Sequence, residues 1–442
     1  MIYTPIIGLE IHIEPNTKSK MFCACPQDHF GKKPNSQTCP ICLGLPGSLP
    51  FTNREAINKT IKLGLALGSK ISEFSKFYRK HYFYPDLPKG FQTSQKDEVL
   101  CLGGSLFGKR INHIHLEEDA GKLMHVNNQS LVDFNRSGCA LIELVTEPDF
   151  HSTDEVLAFT KELQLIARYL DISNADMEKG TMRLEANISM LNAKNSNAKL
   201  PDYKVELKNI NSFKFLEKAI NAEIVRQESE LSKGRKIIQE TRGYDENKKT
   251  TFSQRVKEGS EDYRYFPEAD LPPIEIGELK IKNLKLKIPE LPQAKRERFQ
   301  DIYKLSKDYI EILVSDLNRA NYFEDVIANG MKQPRLRSLH SLHSFAMTVA
   351  NLMINKHLDT DYPEPAGLAR KIIELEDRSY ESAENTEEAV RQVLQTNPEI
   401  IKKYQNGQTQ VLSFLIGQVQ KILRGSGNPK LIGDLLKSKL EK

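Results

Sequence analysis

The chain has 442 residues, 39% hydrophobic and 28% charged, which excludes wholesale disorder and is too long for one ordinary hydrophobic core, so two or three domains are expected. It has no run of 18 apolar residues, and Met1-Ile2-Tyr3-Thr4-Pro5 lacks the basic opening and unbroken apolar stretch of a secretory signal, so the expectation is a cytoplasmic protein with no membrane partner. The formal net charge of +4 excludes little by itself.

Residues 1–290 read as rich in β-structure, with short alternating segments separated by Gly, Pro and Asn. In the first segment, Ile7, Leu9, Ile11 and Ile13 alternate with Gly8, Glu10 and His12. A strand would turn the first set to one face and hold Glu10 and His12 side by side on the other. Four cysteines follow, Cys23 and Cys25, then Cys39 and Cys42, with thirteen residues between the pairs. Four thiolates can close a tetrahedral Zn2+ site, and in a reducing compartment metal is favoured over disulfides. Such a closed site would brace the loop 23–42 and perform no catalysis. Four buried free thiols are the alternative, and His29, between the pairs, is a substitute ligand. Cys101 and Cys139 are isolated and suit core packing.

The alternation recurs in His113, His115 and Glu117, in Arg183, Glu185 and Asn187, and in Lys204, Glu206 and Lys208, each set interleaved with apolar residues. Four strands would thus share an apolar face and a carboxylate-bearing face. Gathered carboxylates repel unless cations lie between them. Oxygen-rich clusters suit Mg2+, which shares its remaining positions with water and phosphate, and Arg183, Lys204 and Lys208 could neutralise a transferring phosphoryl group. Solvated outer faces of antiparallel strands alternate in the same way and would account for any one strand, but four such strands with His, Asn and Arg among the carboxylates favour a metal-phosphate site. There is no P-loop, no dinucleotide fingerprint and no G-x-S-x-G elbow. Bound ATP would therefore lie on a sheet surface, and the chain alone would not release ammonia from glutamine.

Ile288-Pro289-Glu290-Leu291-Pro292 marks a boundary. Beyond it, helical spacing predicts helices over 294–318, 336–356 and 364–376, a polar linker over 377–388, and helices over 386–404, 408–424 and 429–440. Seven acidic and two basic residues give 371–390 a net charge of −5. Nine basic and three acidic residues give 391–442 a net of +6. A basic end block suits a nucleic-acid-binding module, although an unevenly charged surface would look the same.

Several strings carry a specific resemblance: IGLEIH (7–12), NSQTCPICLGLPGSL (35–49), KHYFYPDLPK (80–89), HLEEDAGK (115–122), DFNRSG (133–138), LIELVTEPD (141–149), RLEANIS (183–189), VELKNINSF (205–213), QETRGYDE (239–246) and VKEGSEDYRYFPEADLPP (256–273). The sequence resembles the GatB family, the tRNA-binding subunit of the heterotrimeric Asp/Glu-tRNA amidotransferase, through nearly all of 1–275, and residues 414–440 look like that family's tail. The resemblance implies an α+β fold: an antiparallel-sheet cradle of the glutamine synthetase and guanido kinase type over 1–290, an all-α helical domain over 291–376, and a linker with a small tRNA-binding tail over 377–442. It implies ATP-dependent phosphorylation of the glutamate of Glu-tRNA(Gln), or the aspartate of Asp-tRNA(Asn), followed by amidation. The implied partners are amidotransferase subunits A and C: the first, a glutaminase, supplies ammonia, and the second braces the contact.

Under this resemblance, Glu10, His12 and Glu117 would hold Mg2+, with Glu185, Asn187, Glu206 and Lys208 lining the same pocket. Lys76, Arg79 and Lys80 are candidates for phosphate or the tRNA acceptor end. Lys257, Glu258, Asp262, Tyr263, Arg264 and Tyr265 are candidates for the pocket wall or a channel. In the tail, Lys421, Arg424, Lys430, Lys437 and Lys439 are the tRNA candidates. Two rival readings are a zinc-stabilised tRNA-binding scaffold without catalysis, which gives the shared carboxylate faces no use, and a small-molecule ligase, which leaves the basic tail idle.

Overall fold

The computed structural model describes residues 3–192, 200–256, 264–333, 338–376, 381–405, 408 and 410–440. The chain forms two compact units, one of Met1–Arg298 with Val314–Leu317 and one of Phe299–Leu313 with Asn318–Lys442.

The first unit is built on one large sheet. Its principal strands are β1 (Tyr3–Ile13), β2 (Lys109–Glu118), β3 (Ala140–Thr146), β4 (Met182–Asn192), β5 (Val205–Ile210), β6 (Glu240–Asp245) and β7 (Thr250–Val256). Their spatial order is β7-β6-β5-β4-β1-β3-β2, and short strands at Cys101–Leu102 and Lys70–Ile71 extend the sheet beyond β2. Strand β1 is central. It pairs antiparallel with β4 along its whole length and with β3 from Glu10 to Ile13. The antiparallel expectation needs one correction, since β5 and β6 run parallel. Parallel neighbours need a crossover, and the helix Phe213–Ser232 lies between these two strands in the chain.

Alternation decides which face is core. Ile7, Leu9, Ile11 and Ile13 are at most 1% exposed. They join Ile114, Leu116, Ile142, Leu144, Leu184, Ala186 and Ile188 in one apolar layer. Three helices pack on that layer: α1 (Arg54–Ala66), α2 (Thr153–Tyr169) and α3 (Phe213–Ser232). Each has a side-chain cap at its start, from Asn53, Ser152 and Ser212, which satisfies backbone N–H groups that would otherwise lack partners. These helices break the β-rich expectation for 1–290. Their signal was present, since Val156, Phe159, Leu163 and Ile166 in α2 recur at helical spacing and are buried. Cys101 and Cys139 are fully buried, as core packing requires.

The second unit is helical among its described residues. The predicted 294–318 helix is instead Pro292–Tyr303, Lys307–Val314 and the start of Leu317–Gly330. Its first break falls at Lys304, whose φ of 53° is left-handed and cannot continue a right-handed helix. Helices Leu339–Lys356 and Pro365–Glu376 follow the sequence spacing closely. The polar stretch expected as a linker becomes helical at Ala383, with Ser382 accepting a hydrogen bond from the Asn385 N–H. The predicted 386–404 helix divides between Ala383–Thr396 and Pro398–Gln405, because Pro398 has no N–H to donate and restricts Asn397 before it. The tail helices share a core of Val390, Val393, Leu415, Val419, Ile432 and Leu436. Among the described residues, no helix is long and apolar enough to cross a membrane.

Ile11 is fully buried beneath the sheet's polar face. Ile11→Ala is expected to destabilise the first unit by about 2 to 5 kcal/mol, read as a lower denaturant midpoint with an unchanged slope.

Candidate active site and metal centre

The pairing registers assemble the polar face. Glu10 lies opposite Glu185, and His12 lies opposite both Arg183 on β4 and Glu143 on β3. Glu143 in turn faces His115 on β2, while Asn187 faces Glu206 on β5. The His12 imidazole Nε2 lies 3.4 Å from Glu143, 3.7 Å from Glu117 and 3.8 Å from Glu10. His115 Nε2 is 3.5 Å from Glu143. Lys208 Nζ bridges Glu185 at 2.8 Å and Glu206 at 3.5 Å, and the Thr241 hydroxyl donates to Glu206 at 2.8 Å. Ligand atoms converge closely enough for a metal ion in three groups: Glu10, His12 and Glu143; His115, Glu117 and Glu143; and Glu10, Glu185 and Glu206.

The electrostatics record an excess of negative charge. Burial, with Glu143 and Glu185 adding repulsion, pushes Glu10 up to about 7. Burial and Glu143 push Glu117 up to about 8. Burial opposes charge on His12, yet its hydrogen bond to Glu143 and the charges of Glu143 and Glu117 prevail and raise it to about 9. Burial lowers His115 to about 4, so His12 is the charged imidazole of the pair. Burial alone would raise Glu143, but His115 and His12 hold it well below the usual carboxylate range. A group of carboxylates that resists full ionisation is one that an added cation would relieve. Among the described residues, the solvent-shielded Asn187 Oδ1 and the ring nitrogen His115 Nδ1 at the site have no hydrogen-bond partner. The donor set therefore fits divalent cations.

Beside this face runs a cleft of about 790 Å³ lined in part by Lys122, Arg136, Lys179, Arg183, Glu185 and Asn209. Arg183 donates to Asp119 at 2.5 Å through Nη2, while its shielded Nε has no hydrogen-bond partner among the described residues. Burial raises Asp119 in principle, but Arg136 and Arg183 hold it down at about 2. The cleft thus offers donors to an anion next to carboxylates that suit a cation.

Glu143 and Asp119 were missed by sequence reasoning, and His115 was placed on the polar face without a role. The available signal for Glu143 was a lone charge within Leu141-Ile142-Glu143-Leu144-Val145. Lys204 lies just before β5 and is exposed. With Glu10 and Asn187 it lines a separate pocket of about 260 Å³. The three cations 76, 79 and 80 part company. Arg79 is held by Glu268 at 2.6 Å and Asp270 at 3.1 Å, and Lys76 pairs with Glu98 at 3.1 Å, so both already have carboxylate partners. Lys80, on the opposite side of the same short strand Tyr78–His81 from Arg79, acts electrostatically on Glu117 and Glu143. Tyr265 pairs with Lys80 across that small sheet, and the Arg264 carbonyl lies 3.0 Å from His81 Nδ1. Lys257, Glu258, Asp262 and Tyr263 lie outside the described residues. In the tail, Lys421, Arg424, Lys430 and Lys437 are exposed, whereas Lys439 bonds Glu387 at 2.8 Å.

The four cysteine sulfurs at 23, 25, 39 and 42 all lie within 4.8 Å of one another. A tetrahedral ion with bonds of about 2.3 Å spaces its thiolates by about 3.8 Å, so little movement closes the site. The Cys39–Gly44 turn is held by Leu43 N–H to Cys39 carbonyl at 3.1 Å and Gly44 N–H to Ile41 carbonyl at 3.0 Å. Its Gly44 has φ +64°, and a Cβ there would lie 2.4 Å from Lys89 Cγ. A hydrogen bond from Cys23, aided by nearby Lys20, holds Cys42 down at about 5, while burial pushes Cys25 up to about 11. One thiolate is thus already favoured before metal arrives. The suggestion of His29 as a substitute ligand fails, since its ring bonds Glu14 at 3.0 Å and it is outside the thiol group.

Fold and site together define an α+β protein whose sheet carries a carboxylate and imidazole cluster with the geometry to hold a cation, and a group of four cysteines that could hold a metal ion. Residues 5–282 match the GatB/GatE catalytic domain, and residues 348–440 match the GatB domain. The chain is 41% identical to the GatB subunit of the aspartyl/glutamyl-tRNA(Asn/Gln) amidotransferase of Clostridium beijerinckii, over 100% of this chain and 99% of the relative. It is 40% identical to that of Thermosipho melanesiensis, over 99% of each, and 38% identical to that of Persephonella marina, over 100% of each. The chain belongs to the GatB family of Asp/Glu-tRNA amidotransferase subunits, and the amidotransferases are ligases.

Metal analysis of the purified chain is expected to find one Zn2+ per molecule. The Cys39→Ser, Cys42→Ser double variant is expected to fall to near zero while keeping the far-ultraviolet circular dichroism of the large sheet.

Proposed function

We propose that this chain activates the side-chain carboxylate of glutamate on Glu-tRNA(Gln), and of aspartate on Asp-tRNA(Asn), by phosphoryl transfer from ATP, and passes it to ammonia. The observation that carries this reading is the contact between two opposite demands: a carboxylate and imidazole surface short of positive charge, and the donor-lined cleft of Arg183 beside it. A scaffold without catalysis gives neither feature a use.

The substrate carboxylate is inert to ammonia because oxide would have to leave. Its oxygen attacks the γ-phosphorus of ATP, the bond to the β-phosphate oxygen breaks, and ADP departs. Ammonia then attacks the acyl carbon, inorganic phosphate leaves with the bonding electrons, and the nitrogen loses a proton as the amide forms. Glu10, Glu117 and Glu143 would hold Mg2+, joined by His12 once the incoming ion displaced its proton, with Glu185, Glu206 and Asn187 at its margin. The ion supplies charge neutralisation to the transferring phosphoryl group. Arg183, held by Asp119 and lining the cleft, would offer its other N–H groups to phosphate. Lys208 holds Glu185 and Glu206 apart from mutual repulsion, and Lys80 balances Glu117 and Glu143.

The wider reading follows from the family. The glutaminase subunit would supply ammonia from glutamine, the third subunit would brace the assembly, and the work would be cytoplasmic. The sheet would be the cradle of the glutamine synthetase and guanido kinase type, and Zn2+ in the four-thiol site would be structural. The exposed Lys421, Arg424, Lys430 and Lys437 would meet tRNA phosphates.

Two measurements test this. In the assembly reconstituted with subunits A and C, Glu143→Ala and Glu10→Ala are each expected to cut tRNA-dependent γ-phosphate release by at least ~100-fold, the scale of losing charge stabilisation in phosphoryl transfer, with glutaminase activity and tRNA affinity retained; full amidation by either variant removes that residue from the chemistry. Reversing the four exposed tail cations to Glu is expected to weaken tRNA binding and flatten its salt dependence, and binding unchanged across the set would place tRNA elsewhere.

A further inference from the structure

One buried group is not used by the chemistry above. Lys20 is completely buried, and a lysine in that position needs a reason. Its Nζ donates to the Gln37 carbonyl at 2.9 Å and the Ser137 carbonyl at 2.8 Å. The Phe134 carbonyl is at 3.4 Å and Cys42 Sγ at 3.8 Å. Among the described residues no carboxylate is paired with it: every ion pair at this end of the sheet uses other cations, such as Lys89 with Glu118 and Arg136 with Asp119. The neutral carbonyls satisfy its hydrogens but not its charge. Of the four acceptors recorded for its Nζ, the Cys42 sulfur is the one that can carry a negative charge.

We propose that Lys20 is a positioning residue that couples the four-thiol metal centre to the Asp119–Arg183 side of the catalytic sheet. A divalent ion held by four thiolates carries a net charge of about −2, and burying that charge calls for a cation close to a ligand sulfur. Lys20 supplies it. The same ammonium grips the turn that follows Asp133 through the Ser137 carbonyl, so charge at Cys42 and the shape of that turn depend on one another.

The turn is built into the site by a short, continuous set of bonds. Met21 N–H donates to the Gly138 carbonyl and Gly138 N–H to the Asp119 carbonyl, each at 2.9 Å, and Asp119 N–H donates to the Cys139 carbonyl at 2.8 Å. Arg136 clamps the Ala120 carbonyl at 2.9 Å and the Gly121 carbonyl at 2.8 Å. Its Nε lies 3.6 Å from Asp119, which bonds Arg183. Gly138 packs directly on the metal loop. Its φ is +80°, and a Cβ there would stand 3.1 Å from Cys42 Cβ, so a side chain at 138 would push the turn off the cysteine. Metal at the four sulfurs therefore sets the backbone that aims Asp119, and through it Arg183, at the cleft.

This inference rests on the metal reading of the cysteines and not on the phosphoryl-transfer reading, so none of its tests uses amidation. In the full chain, Lys20→Met removes the charge at similar length, and Lys18→Met, at an exposed position, is the control. Chelator competition is expected to show Zn2+ bound roughly 10- to 100-fold more weakly in Lys20→Met and unchanged in Lys18→Met. Hydrogen exchange of the amides at 133–139 is expected to speed up in Lys20→Met, and equally in wild-type chain stripped of zinc, while the amides of β7 keep their protection. The stripped wild-type arm and a Gly138→Ala arm, expected to weaken zinc in the same way, stand even where Lys20→Met does not fold. Wild-type zinc affinity in Lys20→Met, unaltered exchange at 133–139 after stripping, or a wild-type chain that takes up no zinc would each overturn the proposal.

Discussion

Like charges gathered on one low-dielectric surface repel, and five glutamates converge on one face of a single sheet. Glu10, Glu117, Glu143, Glu185 and Glu206 reach that face from five adjacent strands. Burial multiplies the cost of their repulsion. The surroundings respond in kind: Lys208 sits between two of them, His12 is charged against Glu143, and Glu10 and Glu117 hold protons more tightly than free carboxylates do. Such an arrangement is tolerated because the opposite face is a continuous apolar layer with three helices on it. The core supplies the stability that the polar face gives up, which is a common relation between scaffold and functional surface.

Much of this was legible from alternation alone. Glu10, His12, Glu117 and Glu185 were each visible as polar members of apolar strands, and period two fixes which side chains share a face. What a strand read alone does not reveal is its neighbour. The order that sets β1 between β3 and β4 is a long-range outcome, so Glu143, flanked by apolar residues, gave no sign of the place beside His12 that the register assigns it. The helices α1 to α3 were obscured for a related reason, since their apolar spacing stood between strands whose alternation dominated the window. Backbone particulars were also out of reach. The left-handed residue at Lys304 cuts a long helical pattern, and nothing in its side chain announces this.

The cation candidates show how local pattern and tertiary pairing divide the same string. Lys76, Arg79 and Lys80 read alike in sequence. Carboxylates at 98, 268 and 270 neutralise the first two, and the third faces the glutamates. Glu268 and Asp270 are 189 and 191 residues away from Arg79, a separation over which composition carries no information about pairing. The metal loop illustrates the converse. The four cysteines were fully legible from spacing, whereas the lysine that serves them stands outside the motif and is identified only by its burial.

Strand β1 also has a consequence for how the molecule is made. It is synthesised before either partner, yet it is the middle of the sheet, and those partners are residues 142–145 and 182–192. At about 5 to 20 residues per second, roughly 10 to 35 seconds separate the synthesis of Ile13 from that of Asn192. Until residues 142–145 arrive, a strand of alternating isoleucine and leucine has neither neighbour, and until 182–192 arrive it still lacks one, so its unpaired backbone is a template for any passing strand. The residues that place Glu10 and His12 at the centre of the site also leave the nascent chain with an open strand until residues 142–192 arrive to cover it.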